Sequence, residues 1–159
     1  MSSEKLVSNW LPCPVVFISV ASGEKRDIMT ATAMFVSEGE PILAISVAKG
    51  HLTHRLIVEA KSFTLTIASE SQKTLALQLG SMRGDEEDKF RRFSIETIPN
   101  QSGKAIIPKG ASAWMECNVI GDQEVDGYHL LIARVVAQGD LEDPPMVWRG
   151  NAFFGLKAV

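Results

Sequence analysis

The residues best suited to binding chemistry stand together at Lys49-Gly50-His51-Leu52-Thr53-His54-Arg55. Leu56, Ile57 and Ala60 follow with helical spacing, so this stretch reads as the start of a helix. Thr53 is predicted as the N-cap, its hydroxyl accepting from an orphan amide of the first turn. Leu52 and Ile57 have the spacing of a hydrophobic staple. Free amides at a helix start favour an anion, and Lys49, His51 and Arg55 add positive charge. The chemistry this predicts is capture of a phosphate; the alternative is an ordinary capped helix with solvated charges.

Other reactive groups are sparse. Cys13 and Cys117 lie far apart in apolar surroundings, with no second cysteine at metal spacing, and are expected to be free thiols. His51, His54 and His129 form no ligand cluster in the sequence. No Gly-x-Gly-x-x-Gly and no P-loop pattern is present, which argues against the usual dinucleotide and nucleoside-triphosphate folds.

The elements that must position this stretch are mostly strands. Val15 to Ala21 is one, and the turn Ser22-Gly23-Glu24-Lys25 should fold it onto a second, Ile28 to Phe35. Glu38-Gly39-Glu40-Pro41 is a turn, and Ile42 to Val47 is a third strand, giving an expected antiparallel meander. After the helix from Thr53 to Lys61, Ser62 to Ile67 alternates as a half-buried strand. Ser69 and Gln72 have capping-box spacing before a helix carrying Leu75, Ala76 and Leu79 and ending at Gly80. Residues 81–93 read as a polar loop. Ala113 to Ile120 and Tyr128 to Ala137 are strands around the hairpin signal Asp126-Gly127. Many strands interrupted by a few helices predict a mainly β fold, a small barrel with peripheral helices, rather than a doubly wound sheet.

A chain of 159 residues with 45% hydrophobic and 22% charged residues suits a single globular domain, 1–159. The net charge of −3 without a basic block argues against nucleic acid. No apolar run approaches the ~20 residues of a membrane span. The opening MSSEKLVSNW lacks the apolar core of a signal peptide, so the cytoplasm is the expected location.

Four stretches carry a resemblance: Pro14-Val15-Val16, Asp27-Ile28-Met29-Thr30-Ala31-Thr32, Glu40-Pro41-Ile42-Leu43-Ala44-Ile45-Ser46-Val47 and His51-Leu52-Thr53-His54-Arg55-Leu56-Ile57. In order and spacing they are similar to the flavin reductase-like, FMN-binding split-barrel family, its flavoredoxin branch above all. The likeness continues through Ser62-Phe63, the loop with Ser81, Gly84 and Asp88-Lys89-Phe90, Ala113-Trp114-Met115-Glu116-Cys117 and Gly127-Tyr128-His129.

The resemblance implies a homodimer of split barrels, each binding FMN near the interface, with FAD as the alternative flavin and NADH or NADPH as reductant. Met29, Thr30, Ala31 and Thr32 would run along the flavin, with Ser46, Val47 and Ala48 beside it. His51 and Thr53, with Lys49 near them, would hold the phosphate. Lys89 would contact the cofactor, with Phe90 packed beneath its loop. His129 would stand as the catalytic residue on the nicotinamide side, or else as a strand histidine bonded to a neighbour. Trp148 would border the pocket or serve as a core or interface residue.

Two departures touch the reductant side. Family members commonly carry Gly-Asp-His where this chain has Gly127-Tyr128-His129, and a glycine on the following strand where it has Ala133-Arg134. The resemblance therefore implies either an NAD(P)H-dependent flavin reductase, supplying an oxygenase or keeping its flavin, or a flavoredoxin-type carrier with permanent FMN and a protein redox partner.

Overall fold

The computed structural model describes residues 6–82, 87–100 and 103–159. Gly84 of the polar loop falls outside them. Among the described residues a 3-10 turn, Val7–Asn9, precedes twelve strands and three α-helices. In chain order these are β1 (Cys13–Pro14), β2 (Val16–Ser22), β3 (Lys25–Ala31), β4 (Ala33–Ser37), β5 (Ile42–Ala48), α1 (Leu52–Ala60), β6 (Ser62–Ile67), α2 (Lys73–Gly80) and α3 (Lys89–Arg92). The short pair β7 (Thr97–Ile98) and β8 (Ile107–Pro108) follows, then the long hairpin β9 (Ala113–Val125) and β10 (Tyr128–Asp140), and finally β11 (Met146–Arg149) and β12 (Ala152–Gly155).

Seven strands form one antiparallel sheet in the order β3-β2-β6-β9-β10-β5-β4. The hairpin β2–β3 turns where the sequence predicts it. The expected strand Ile28 to Phe35 does not exist as one element: it breaks at Thr32 into β3 and β4, which occupy opposite edges of the sheet. The predicted meander is therefore wrong, because β4 pairs with β5 while β3 pairs only with β2. One residue joins the two edges, so Ala31 and Ala33 can be no more than about 7 Å apart. The edges must meet there, and the sheet curls into a split barrel.

Burial explains why β2 reads as a continuous apolar run. Val16, Ile18 and Val20 point into the barrel, where they pack with Leu52, Leu56 and Ile57 of α1 and with Phe63, Leu65 and Leu131. Val15 and Phe17 point the other way, onto Ala76 and Leu79 of α2 and Phe90 of α3. A strand covered on both faces has no polar side to alternate with.

The Asp126-Gly127 turn has φ values of 48° and 80°, the two left-handed residues of a type I′ hairpin. The Ser69–Gln72 capping box is present and opens a 3-10 turn, Glu70–Gln72, that leads into α2. Residues 81–93 are not all loop: Asp88 accepts from the Phe90 amide at 2.9 Å and starts the single turn of α3. Both cysteines are free, and burial with the neighbouring Glu116 carboxylate pushes the Cys117 thiol up to about 12. No helix among the described residues is long and apolar enough to cross a membrane.

Candidate functional site

An open cavity of about 670 Å³ lies beside the Thr32 crossing. Met29, Thr30, Ala31 and Thr32 line one side. Ser46 and Ala48 of β5 and Tyr128 of β10 form a second wall, α2 a third through Ala76, Leu77 and Gly80, and the β11–β12 hairpin a fourth. The cross-strand pair Trp148 and Phe153 supplies that fourth wall.

Strand alternation decides which residues reach the cavity. Ser46 and Ala48 face it, whereas Val47 between them is fully buried in the barrel core. The Val47 side chain thus packs in the core, while the segment expected beside the flavin lines the cavity through Ser46 and Ala48. Ala48 stands opposite Tyr128, and Val47 opposite His129. Directly paired residues share a face of the sheet. Tyr128 therefore faces the cavity, and His129 points to the opposite side of β10.

Thr30 lines the cavity with its proton already committed. Its Oγ1 donates to the Ala76 carbonyl at 2.7 Å, tying β3 to α2. A ligand meets this hydroxyl only as an acceptor.

Two expected contacts lie beneath the cavity. Thr53 is not the N-cap: His51 holds that position, without a side-chain capping bond. Thr53 is 1% exposed and donates to Asp27 Oδ2 at 2.6 Å. Lys89 is equally enclosed; its Nζ donates to the Ile28 carbonyl at 2.8 Å and lies 3.3 Å from Asp27 Oδ1. Neither side chain lines the cavity. Together they anchor Asp27 and Ile28, the residues just before the cavity-lining segment, to α1 and α3. Phe90 packs into the core with Val15, Phe17 and Ile28, and the Arg26 guanidinium lies 4.5 Å from its ring centre.

The start of α1 opens on a second, smaller cavity of about 260 Å³. Lys25, Arg26 and Arg55 bring positive charge to it, and Glu24, Glu87 and Asp88 negative charge. Arg26 pairs with Asp88 at 3.0 Å. Burial would raise the Asp88 carboxyl, but the Arg26 bond and the Phe90 amide outweigh it and hold the group below its ordinary value. His51 is partly buried at the head of the helix, and Lys49 extends away to Glu124 at 2.8 Å.

His129 belongs to a separate cluster. Its Nδ1 lies 2.7 Å from Asp122 Oδ1, and His54 Nε2 lies 3.3 Å from Asp122 Oδ2. The two imidazoles stack with centroids 3.7 Å apart and planes at 22°. Burial would raise Asp122, but the hydrogen bonds from His129 and His54 outweigh it and lower the carboxyl. The catalytic assignment of His129 is not supported by this placement, since the ring is turned from the cavity. Arg134 forms an exposed pair with Glu40 at 2.9 Å. Tyr128, Leu77, Gly80, Ser81 and Phe153 line the cavity although sequence reasoning did not place them there; alternation from Ser46 through the β5–β10 register would have found Tyr128.

The family model for the flavin reductase like domain matches residues 8–157. Solved structures with this fold include an FMN-binding protein of Thermus thermophilus with bound p-hydroxybenzaldehyde, 22% identical, with a TM-score of 0.83 over 95% of this chain and 90% of that one. The styrene monooxygenase flavin reductase of Pseudomonas putida S12 is 22% identical, with a TM-score of 0.81 over 100% and 99%. The flavoredoxin of Methanosarcina acetivorans is 18% identical, with a TM-score of 0.81 over 93% and 87%. With nearly its whole length matched by one family model and its strands arranged as a split barrel, the chain belongs to the flavin reductase-like family.

Proposed function

We propose that this chain is an NAD(P)H-dependent flavin reductase that holds FMN in the cavity between β3, β5, β10 and α2. The observation that carries the reading is the cavity itself. Its volume of about 670 Å³ falls within the ~300–1,000 Å³ usual for small-molecule sites. Its lining is chiefly apolar and aromatic with a few hydroxyls, which suits a flat, polar-edged ring. FMN would supply a ring that accepts hydride from reduced nicotinamide.

The chain's own residues bind and orient. Ala31, Ala48 and Gly80 are small enough to let a ring approach the backbone. Thr30 presents lone pairs at a fixed place, Thr32 and Ser46 add hydroxyls, and Tyr128, Trp148 and Phe153 exclude water from the walls. The amide end of α1, with His51, would hold the phosphate, while Lys49 is engaged by Glu124. Thr53 and Lys89 act as positioning residues through Asp27 and Ile28. Hydride transfer needs no proton-moving triad, so the site lacks nothing for want of a catalytic His129.

Exposed apolar residues on the β4 edge support a second copy of the chain as a partner there. Met34, Phe35 and Val36 are 65%, 72% and 50% exposed there. Consecutive exposed apolar residues on an edge strand invite a partner. A homodimer built on this edge, near the cavity, is part of the proposal, as is delivery of electrons to an oxygenase.

A flavoredoxin-type carrier is the second reading, favoured by Tyr128, whose ring lines the cavity where many relatives carry aspartate. An anaerobic absorbance scan with FMN, before and after NADH and then NADPH, separates the two. Bleaching faster than with free FMN is expected. If neither nicotinamide bleaches the yellow band and only a reduced protein partner or dithionite does, the reductase reading falls and the carrier stands.

A further inference from the structure

His54, Asp122 and His129 form a cluster that the proposed flavin chemistry does not use. We infer that these three residues are a binding site for a divalent transition-metal ion, with zinc as the best match.

Three separate elements supply the ligands: α1 gives His54, β9 gives Asp122 and β10 gives His129. Their ligand atoms all lie within 4.8 Å of one another. In a tetrahedral zinc site with bonds of about 2.0–2.2 Å, ligand atoms stand about 3.3–3.5 Å apart. The observed separations of 2.7 Å and 3.3 Å to the two Asp122 oxygens lie close to that spacing, and the two imidazoles, now stacked with planes at 22°, swing apart so that both in-plane lone pairs meet one ion. Two imidazoles and one carboxylate select zinc or its first-row neighbours over calcium and magnesium, which prefer an all-oxygen shell.

The burial pattern suits a metal site better than a structural hydrogen-bond pair alone. The imidazoles are 11% and 16% exposed, already stripped of most water, while Asp122 is 34% exposed and gives an ion a way in. Glu124 stands directly across from His129 in the β9–β10 register, its charge countered by Lys49 at 2.8 Å, so Asp122 is the carboxylate left to the cluster. Three protein ligands leave a fourth position for water. Binding would require the lone pairs at His54 Nε2 and His129 Nδ1 to face the ion, so each ring would carry its proton on the other nitrogen. The ion would clamp the first turn of α1 to the β9–β10 hairpin.

The test uses untagged full-length protein titrated with Co²⁺ as a spectroscopic probe, followed by Zn²⁺ competition. One equivalent of Co²⁺ should give the visible bands of a low-coordinate ion, and one equivalent of Zn²⁺ should abolish them. His54→Gln and Asp122→Asn should each weaken binding at least about tenfold, since losing even an outer partner of a metal ligand costs about 10–100-fold. FMN occupancy should be unchanged in His54→Gln, which separates this site from the flavin reading. Folded protein that shows no stoichiometric Co²⁺ bands overturns the inference. So does binding that neither substitution affects, because the ion then sits elsewhere.

Discussion

The Thr53 hydroxyl donates to the Asp27 carboxylate at 2.6 Å, across a contact that is almost wholly buried. A residue expected to hold a ligand instead holds Asp27, which leads into the cavity-lining segment. Asp27 precedes the Met29–Thr32 segment by two residues, and Lys89 approaches the other carboxylate oxygen from α3.

Lys89→Met should leave Asp27 buried without its cation. Breaking such a pair costs about 3–5 kcal/mol. Thr53→Val removes one hydrogen bond to a charged group, worth about 1.5–3 kcal/mol. Urea unfolding of the two variants should rank them in that order. A Lys89→Met protein as stable as the parent would show that Asp27 does not depend on it.

Trp148→Ala should weaken flavin binding more than it weakens the fold. The ring lines the cavity and pairs with Phe153 across β11 and β12. Losing the burial of a large aromatic costs about 1.5–3 kcal/mol, or about ten- to a hundredfold in Kd. Fluorescence titration should show this loss for FMN and riboflavin alike, because the proposed site sets this wall against the ring and not the phosphate. Unchanged affinity for both would remove this wall from the site.

Local chemistry was legible in the sequence, and long-range placement was not. Asp126-Gly127 announces its turn because both positions need positive φ, and Ser69 with Gln72 announces its capping box. The resemblance names Met29–Thr32, Ser46 and Ala48, and these residues line one cavity. The break at Thr32 was hidden, since residues on both sides favour strand and the choice of sheet edge is decided by distant partners. The partners of Lys89 and Thr53 are hidden for a similar reason: a polar residue near a ligand motif looks the same whether its partner is a phosphate or a buried Asp27. The face of His129 could have been read only with the register that sets it opposite Val47.

Gly139→Ala tests the packing of the hairpin that carries Tyr128. An added Cβ would lie 2.5 Å from Trp114 Nε1 and 3.0 Å from Cε2, so the indole must move. Overpacking of this kind costs about 1–3 kcal/mol. Gly121→Ala is the control, because its Cβ would meet Ile132 at an ordinary 3.5 Å. Thermal melts should separate the two variants, and equal melting temperatures would mean that Trp114 has room to give.

Asp122 should set part of the acid limb of stability. Its carboxyl is held below its ordinary 3.8 in the folded protein, because the bonds from His129 and His54 outweigh burial. Between the two values the unfolded chain binds more protons, so this contribution is present above the ordinary value and is lost as pH falls through the lowered one. Asp122→Asn should therefore melt with a shallower dependence on pH below about 4. Parallel melting curves for parent and variant across that range would contradict the assignment.

The corrected helix start sharpens the phosphate test. His51, not Thr53, is the N-cap of α1, and its side chain makes no capping bond. A charge or dipole at the first turn contributes about 0.3–1 kcal/mol toward an anion. His51→Ala should thus raise the Kd for FMN about two- to fivefold and leave riboflavin unchanged. Thr53→Val, acting through Asp27, should weaken both ligands by similar factors or neither. The contrast between the two substitutions carries the test: a phosphate held at this helix responds to His51 and discriminates the ligands, whereas disturbance of β3 does not discriminate. If His51→Ala weakens FMN and riboflavin equally, the phosphate is held somewhere other than the start of α1.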